Sequence, residues 1–160
     1  MTTNLQLGCG KNKKEGFINI DRAGDVDLIL DVGSQRFPFE NNSVDYVVAY
    51  DFIEHLDTEQ TDYLLDELYR ICKPDAIIEF TAPYYTSPVS CRVWHKQRIS
   101  ETYFADYEAI DENKCHSLDH KFYFKIDSEV KYRSMIAPAE QNSVVDQSDI
   151  VVCFLLQVIK

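Results

Sequence analysis

Apolar positions along the 160-residue chain recur with two different periods, and the switches between them outline the elements. Leu5-Gln6-Leu7 reads as a short strand running into a turn at Gly8-Cys9-Gly10, and Phe17-Ile18-Asn19-Ile20 resumes the alternation and closes on Asp21. Asp27-Leu28-Ile29-Leu30 is another short apolar run, closed by Asp31 and Val32, and 37–43 has turn composition. Val44 to Tyr50 is apolar and β-branched enough to be a central strand buried on both faces. The first long helix starts with Asp57 or Thr58 as N-cap and Gln60 three residues after Asp57. It carries Leu64, Leu65, Leu68, Ile71 and Cys72 at helical spacing, and Pro74 stops it. Ala76 to Thr81 then reverts to strand, so that strand, helix and strand form a parallel α/β unit.

The join from Lys11 to Gly16 is short. A parallel crossover takes about a dozen residues or more, so crossover helices are expected to be reduced in the N-terminal half. The lysines there are read as a solvated loop, or as one lysine meeting a ligand carboxylate. Residues 83–120 are rich in aromatics and His, with one short helix expected after Ser100, over 101–107. They read as an excursion of the same domain over the carboxyl ends of the strands, where open α/β sheets bind ligands. Residues 121–126, continued to 132, and 150–158 are most simply an antiparallel strand pair. The expected fold is α/β, an open Rossmann-like, mostly parallel sheet with a C-terminal antiparallel pair, in a single domain over 1–160.

Composition narrows the partners more than the fold. With 45% hydrophobic and 27% charged residues the chain has an ordinary globular make-up. No apolar run approaches the ~18 residues of a membrane span. The N-terminus carries no basic-then-apolar leader, so a cytoplasmic protein without a membrane partner is expected. A net charge of −11 argues against a nucleic-acid partner, because phosphate contacts need Lys and Arg. Five scattered cysteines, an odd number, suit reduced and packed thiols better than disulfides.

The Gly8-Cys9-Gly10 turn followed by Asp21 has the grammar of a nucleotide site. Glycines allow a sharp turn and a close ligand approach, and an ionised carboxylate accepts from both ribose hydroxyls. In the same order, five segments resemble motifs of the small class I S-adenosylmethionine-dependent methyltransferases of the type 11 kind. They are Leu5–Gly10, Gly16–Asp21, Asp31-Val32 with 37–39 and 42–45, Phe52–Leu56, and Leu68–Pro74. The resemblance covers about residues 4–104 and implies S-adenosyl-L-methionine as cofactor. It implies that backbone from Leu7 through Gly8 and Cys9 to Gly10 faces the methionine part, and that Asp21, beside Arg22, takes the ribose hydroxyls. Asp31 with the Val32 backbone would recognise adenine, while Tyr50 and Asp51 would border the sulfonium.

Three departures stand out. Gln6 replaces a frequent Asp, Asn12 stands where a third glycine is common, and Lys73-Pro74-Asp75-Ala76 replaces Lys-Pro-Gly-Gly, putting an Asp where a positive-φ turn falls.

His55 and His95 are the candidate catalytic bases, His95 lying in a Trp94–Arg98 segment that resembles one placed over the acceptor in similar enzymes. Asp51, Glu54 and His55 at i, i+3 and i+4 share one face of a helix. They resemble the Glu-x-x-Glu-His of small-RNA and quinone-pathway O-methyltransferases, whose divalent ion needs a further ligand, here His95, His116 or His120. Because Glu-His also occurs in relatives without metal, no metal is assigned. A zinc set from Cys91, His95, Cys115, His116 and His120 matches no standard spacing. The expected activity is methyl transfer to a small polar acceptor, an oxygen of a sugar or other metabolite, with 83–120 as an acceptor-side lid. The alternative is a non-catalytic cofactor-binding or regulatory domain, suggested by Gln6, Asn12, Asp75-Ala76 and the shortened helices.

Overall fold

A computed structural model describes residues 2–107, 124–132 and 150–160. These form one seven-stranded sheet from β1 (Asn4–Leu7), β2 (Ile18–Asp21), β3 (Leu28–Ile29), β4 (Val44–Tyr50), β5 (Cys72–Pro83), β6 (Phe124–Tyr132) and β7 (Ile150–Val158). The strand order is β3-β2-β1-β4-β5-β7-β6. Pairs from β3 through β5 are parallel, and β7 runs antiparallel to both β5 and β6, as the hydrophobic pattern indicates. Among the described residues there is one α-helix, α1 (Thr58–Ile71), and no helix is long and apolar enough to cross a membrane.

Helix α1 begins as the sequence suggests. The Asp57 carboxylate accepts from the Gln60 N–H at 3.0 Å and the Gln60 side chain accepts from the Asp57 N–H at 3.1 Å, a capping box. The helix ends at Ile71, before Pro74, because residues preceding a proline avoid the α region. The chain enters β5 directly, and the register slips between Val44 and Tyr46, where Asp75 takes the expected left-handed conformation (φ 65). Leu64, Leu65, Leu68 and Ile71 of α1 are fully buried in one core with Leu5, Leu7, Val47, Ala49, Ile78, Phe80, Phe154 and Leu156.

The connection from β1 to β2 contains no helix, although the strands are parallel neighbours. Its backbone is held by buried strand side chains instead. The Gln6 amide donates to Asn12 O (3.0 Å), and Asn19 Oδ1 accepts from the Lys14 N–H (2.8 Å) while its amide nitrogen donates to Phe17 O (3.0 Å). Asp27 in turn accepts from the Asn19 N–H at 2.8 Å and from its side chain at 2.7 Å. Gln6 and Asn19 are 6% and 4% exposed, so these bonds form out of bulk water, where an unpaired amide is costly. Gln6 thus has a structural task at a position where an Asp could not donate.

Cross-strand register sorts the two faces of the sheet. One face packs on α1; the other carries the row Gln6, Val48, Glu79, Leu155 and Asp127, and the row Tyr50, Thr81, Cys153 and Glu129. Here β4 departs from expectation. Val47, Val48 and Ala49 are fully buried, but Tyr46 and Tyr50 are only half-buried, because no helix of the described residues covers that face, and half-buried Asp45 pairs with the Thr3 N–H and Lys73. The expected helix over 101–107 is a turn followed by a short 3-10 helix, Ala105–Tyr107. Phe104 decides this, being fully buried, stacked on Phe80 at 5.5 Å and edge-on to Phe154 at 4.8 Å. Residues 108–120 of the proposed lid and 121–123 of the proposed strand lie outside the described residues.

The β3–β4 connection is clamped by α1. Glu67 accepts from the buried Phe37 N–H at 2.8 Å and from Arg70 at 2.8 and 2.7 Å. Arg70 also donates to Phe39 O (2.8 Å), Asn41 Oδ1 (3.0 Å) and Phe37 O (3.0 Å). Pairing with Arg70 lowers the Glu67 pKa below the ordinary glutamate range, against the upward pull of burial. A lowered carboxyl pKa contributes stability above the unfolded-state value and loses it as pH falls through the folded one, so this contribution declines below about pH 4.3. Glu67→Gln is expected to lower unfolding stability at pH 7 by about 2–3 kcal/mol, with the deficit shrinking in acid, as read from denaturant midpoints.

Candidate functional site

Five strand ends and their loops converge at the carboxyl edge of the sheet. After β1, Gly8 (φ 61) and Gly10 (φ 53) are both left-handed. A Cβ on Gly8 would lie 2.2 Å from the Phe52 ring, whereas Gly10 has open space before it. The Gly10 N–H donates to Asp21 Oδ2 at 2.9 Å, joining the β1 turn to the end of β2, and the Arg22 N–H donates to Asp21 Oδ1 at 2.7 Å. A carboxylate has about four acceptor sites, so Asp21, partly exposed, keeps capacity for two hydroxyls. The Leu30 N–H bonds to Asp21 O (2.9 Å) and brings in the following loop, where exposed Asp31 accepts from the Gly33 N–H at 3.1 Å.

Leu7 and Val32 are buried in the core, leaving only their backbone for a ligand, and the Arg22 side chain points to solvent. Cys9 is also buried, and burial followed by the Asp21 charge raises its thiol pKa.

Tyr50 and Asp51 close β4. Burial, with Glu79 next, pushes the Tyr50 phenol pKa up to about 12, so it stays protonated at neutral pH. The Lys14 ammonium lies 3.3 Å from the Tyr50 hydroxyl and 4.8 Å from the centre of the Phe17 ring, packed rather than loosely solvated as the loop composition suggests. Asp51 is left-handed (φ 50), and its N–H bonds to Thr81 O at 2.9 Å. That conformation turns the chain into a short 3-10 helix, Ile53–His55, so Asp51, Glu54 and His55 do not share a regular helix face.

The segment after β5 returns over this turn. Lys96 and Gln97 N–H groups donate to Glu54 O at 2.8 and 3.3 Å, and the Lys96 ammonium reaches Asp57 (3.0 Å) and Gln60 (2.7 Å) at the α1 N-cap. His95 thereby stands edge-on to His55, ring centres 4.9 Å apart, and Glu54, His55 and His95 present ligand atoms within 4.8 Å of one another. Burial, then His55 and Arg92, lowers the His95 pKa and keeps the ring neutral at pH 7. A cleft of about 390 Å³ opens here, with Asp51, Glu54, His55, Arg92, Trp94 and His95 in its wall. Cys91 is exposed beside Arg98 and outside the cluster, and Cys115, His116 and His120 lie outside the described residues.

The structure therefore groups the sequence candidates into a glycine–carboxylate edge (Gly8, Gly10, Asp21, Asp31) and a histidine cleft (Asp51, His55, His95). Sequence reasoning missed Phe52, whose ring presses on Gly8 from the histidine side; the requirement for glycine at 8 was its only trace.

A strand order of this kind, with one antiparallel strand inserted next to the edge and polar loops gathered at the carboxyl ends, defines a methyltransferase-type open α/β domain. A family profile described as methyltransferase domain matches residues 11–80, and no curated protein matches. Among solved structures, an S-adenosylmethionine-dependent methyltransferase from Archaeoglobus fulgidus aligns at 17% identity with TM-score 0.64, covering 98% of this chain and 86% of that one. The methyltransferase complexed with the Haloferax volcanii Trm112 activator aligns at 16% identity and TM-score 0.64 (99% and 83% covered). The N-methyltransferase NodS of Bradyrhizobium japonicum, bound to S-adenosyl-L-homocysteine, aligns at 12% identity and TM-score 0.59 (99% and 79%). At these identities the structures speak for the fold, and the family profile spans less than half of the chain. The chain therefore has the fold of the class I S-adenosylmethionine-dependent methyltransferases, and its residues 11–80 are similar to a methyltransferase domain.

Gly8→Ala meets both a left-handed backbone and the Phe52 ring. It is expected to lower stability by about 2–4 kcal/mol. Adding Phe52→Ala should not restore it fully, since the backbone strain remains; thermal unfolding of the single and double variants reads this.

Proposed function

We propose that this domain methylates an oxygen of a small polar acceptor, a sugar or similar metabolite, held in the histidine cleft. The observation that carries the reading is the placement of that cleft beside Tyr50-Asp51 and across Phe52 from the glycine turn. A volume near 390 Å³ suits a small molecule. Its wall combines hydrogen-bonding groups with Trp94, 60% exposed, a flat apolar face of the kind the C–H side of a sugar packs on. NodS, at 12% identity, is an N-methyltransferase, so a nitrogen acceptor is the competing outcome of the assay.

The cofactor fits the residues at the edge. Backbone of Gly8, Cys9 and Gly10 lines the methionine side, Asp21 accepts from the ribose hydroxyls, Asp31 and the Val32 backbone meet the adenine edge, and Tyr50 and Asp51 border the methyl-bearing sulfur. When bound, the cofactor supplies an already activated methyl group, so positioning accounts for much of the rate. What remains for the protein is to align the acceptor and take its proton. A neutral His95, next to His55, has a ring nitrogen suited to that task.

Calorimetry with S-adenosylhomocysteine tests the cofactor edge. Asp21→Ala removes two charge-assisted bonds and should weaken binding on the order of 100-fold. Lys125→Ala, exposed on β6, should leave binding unchanged; equal effects sink the assignment. Turnover is read as S-adenosylhomocysteine accumulating with a panel of sugars, polyols and amines. Binding without conversion of any acceptor overturns the transfer reading, and conversion of amines alone overturns the oxygen acceptor.

A further inference from the structure

We propose that the acceptor is an anion, a sugar-like molecule bearing one carboxylate or phosphate group, and that Arg92 in the cleft wall receives that group. This deepens the reading of the cleft as the acceptor site and rests on it.

Charge along the chain sets the segment after β5 apart. The protein carries 27 acidic against 16 basic side chains, yet residues 80–100 contain no Asp or Glu and hold Arg92, Lys96 and Arg98. A net charge of −11 repels an anion at a distance, but screening with a Debye length of about 8 Å lets the nearest cations decide at contact. Two of the three cations are already engaged. The Lys96 ammonium is 3.0 Å from Asp57 and 2.7 Å from Gln60, and the Arg98 guanidinium donates to the Cys91 sulfur at 3.4 Å. Arg92 is exposed in the cleft wall and has no carboxylate at ion-pair distance among the described residues.

Its guanidinium is also positioned. The Arg92 N–H donates to Val89 O at 3.2 Å, closing the short 3-10 helix Pro88–Cys91, and the His95 N–H donates to Arg92 O at 3.0 Å. The guanidinium carbon lies 5.7 Å from the centre of the Trp94 ring. A cation–π contact restrains the plane of the fork and leaves N–H groups for an oxyanion, which a guanidinium binds through two parallel hydrogen bonds.

The remaining charges give the anion one place to go. Asp51 and Glu54 share the cleft and repel a carboxylate or phosphate. His95 lies within electrostatic reach of both ends, since Arg92 lowers its pKa and Asp51 raises it. An acceptor anchored on Arg92 by its anion therefore presents its hydroxyl toward His95 and the Tyr50-Asp51 edge in a single orientation, the alignment that transfer requires.

Trp94 is the only tryptophan of the sequence, so intrinsic fluorescence reports on binding beside Arg92. The full chain is titrated with glucose 6-phosphate, glucuronate and glucose. At least one charged sugar is expected to saturate the response at a concentration on the order of 10- to 100-fold below glucose, the factor that charge-assisted bonds supply. The two charged sugars tell phosphate from carboxylate. Arg92→Gln should remove the difference, with circular dichroism verifying the fold. Arg92→Lys, which keeps the charge and loses the fork, should retain part of it, and Lys125→Ala all of it. Equal saturation by all three sugars, no response to either charged sugar, or a preference that survives Arg92→Gln overturns the anion site. Accumulation of S-adenosylhomocysteine separates this from the broader reading. Conversion of neutral sugars with no advantage for charged ones overturns the anion site alone. An Arg92-dependent response without conversion of any acceptor overturns the transfer reading and leaves the anion site standing.

Discussion

Connections without helices must still find partners for their backbone N–H and C=O groups, and this requirement shapes the N-terminal half of the molecule. A crossover helix satisfies its own backbone. Here the task passes to side chains on the elements that remain. Gln6 and Asn19, inside strands, hold the 11–17 loop, and Asp27 holds Asn19. Glu67 and Arg70, on α1, hold 37–41. Each of these buried or half-buried polar groups would be a liability alone and is useful because it is paired, Gln6 through its amide nitrogen while its Oε1 stays without a partner among the described residues.

Among the described residues, the same economy leaves the sheet covered mainly on one side. Parallel sheets usually have both faces packed by helices. In this chain the apolar halves of β1, β4, β5 and β7 face α1 and Phe104, while the opposite rows carry Gln6, Tyr46, Glu79, Thr81 and Asp127. Tyr46 donates to Glu79 across two strands of that face, and burial followed by this bond pushes its pKa well above the usual phenol value. Tyrosines in such positions cover the backbone with ring while keeping a polar tip for a partner.

At the site, the two halves meet through Gly8 and Phe52. The glycine turn and Asp21 are tied by the Gly10 N–H, the histidine cleft is tied to the α1 cap by Lys96, and the Phe52 ring fills the space that a side chain at 8 would take. Displacement of either half is therefore felt by the other through a packed ring. Positioning is what methyl transfer most needs from a protein.

Much of this was legible from residue order. Alternation located β1, β2 and β4, the Asp57 and Gln60 spacing gave the start of α1, the C-terminal runs gave the antiparallel pair, and Asp75 stood where a left-handed residue was required. The glycine turn with Asp21 was readable because backbone geometry and acceptor chemistry are properties of single residues and short spacings.

What sequence could not supply were pairings between distant segments. The one-sided cover of β4 by the described residues was invisible, since Val47-Val48-Ala49 reads the same whether a helix or tyrosine rings lie above it. The helix expected after Ser100 gave way to a turn because Phe104 gains more in the core than a helical turn would return. The gathering of Asp51, Glu54 and His55 with His95 around one cleft depended on a left-handed residue and a returning loop forty residues on. Local chemistry is written in neighbouring residues; which side chains share a cleft is set by where the chain comes back.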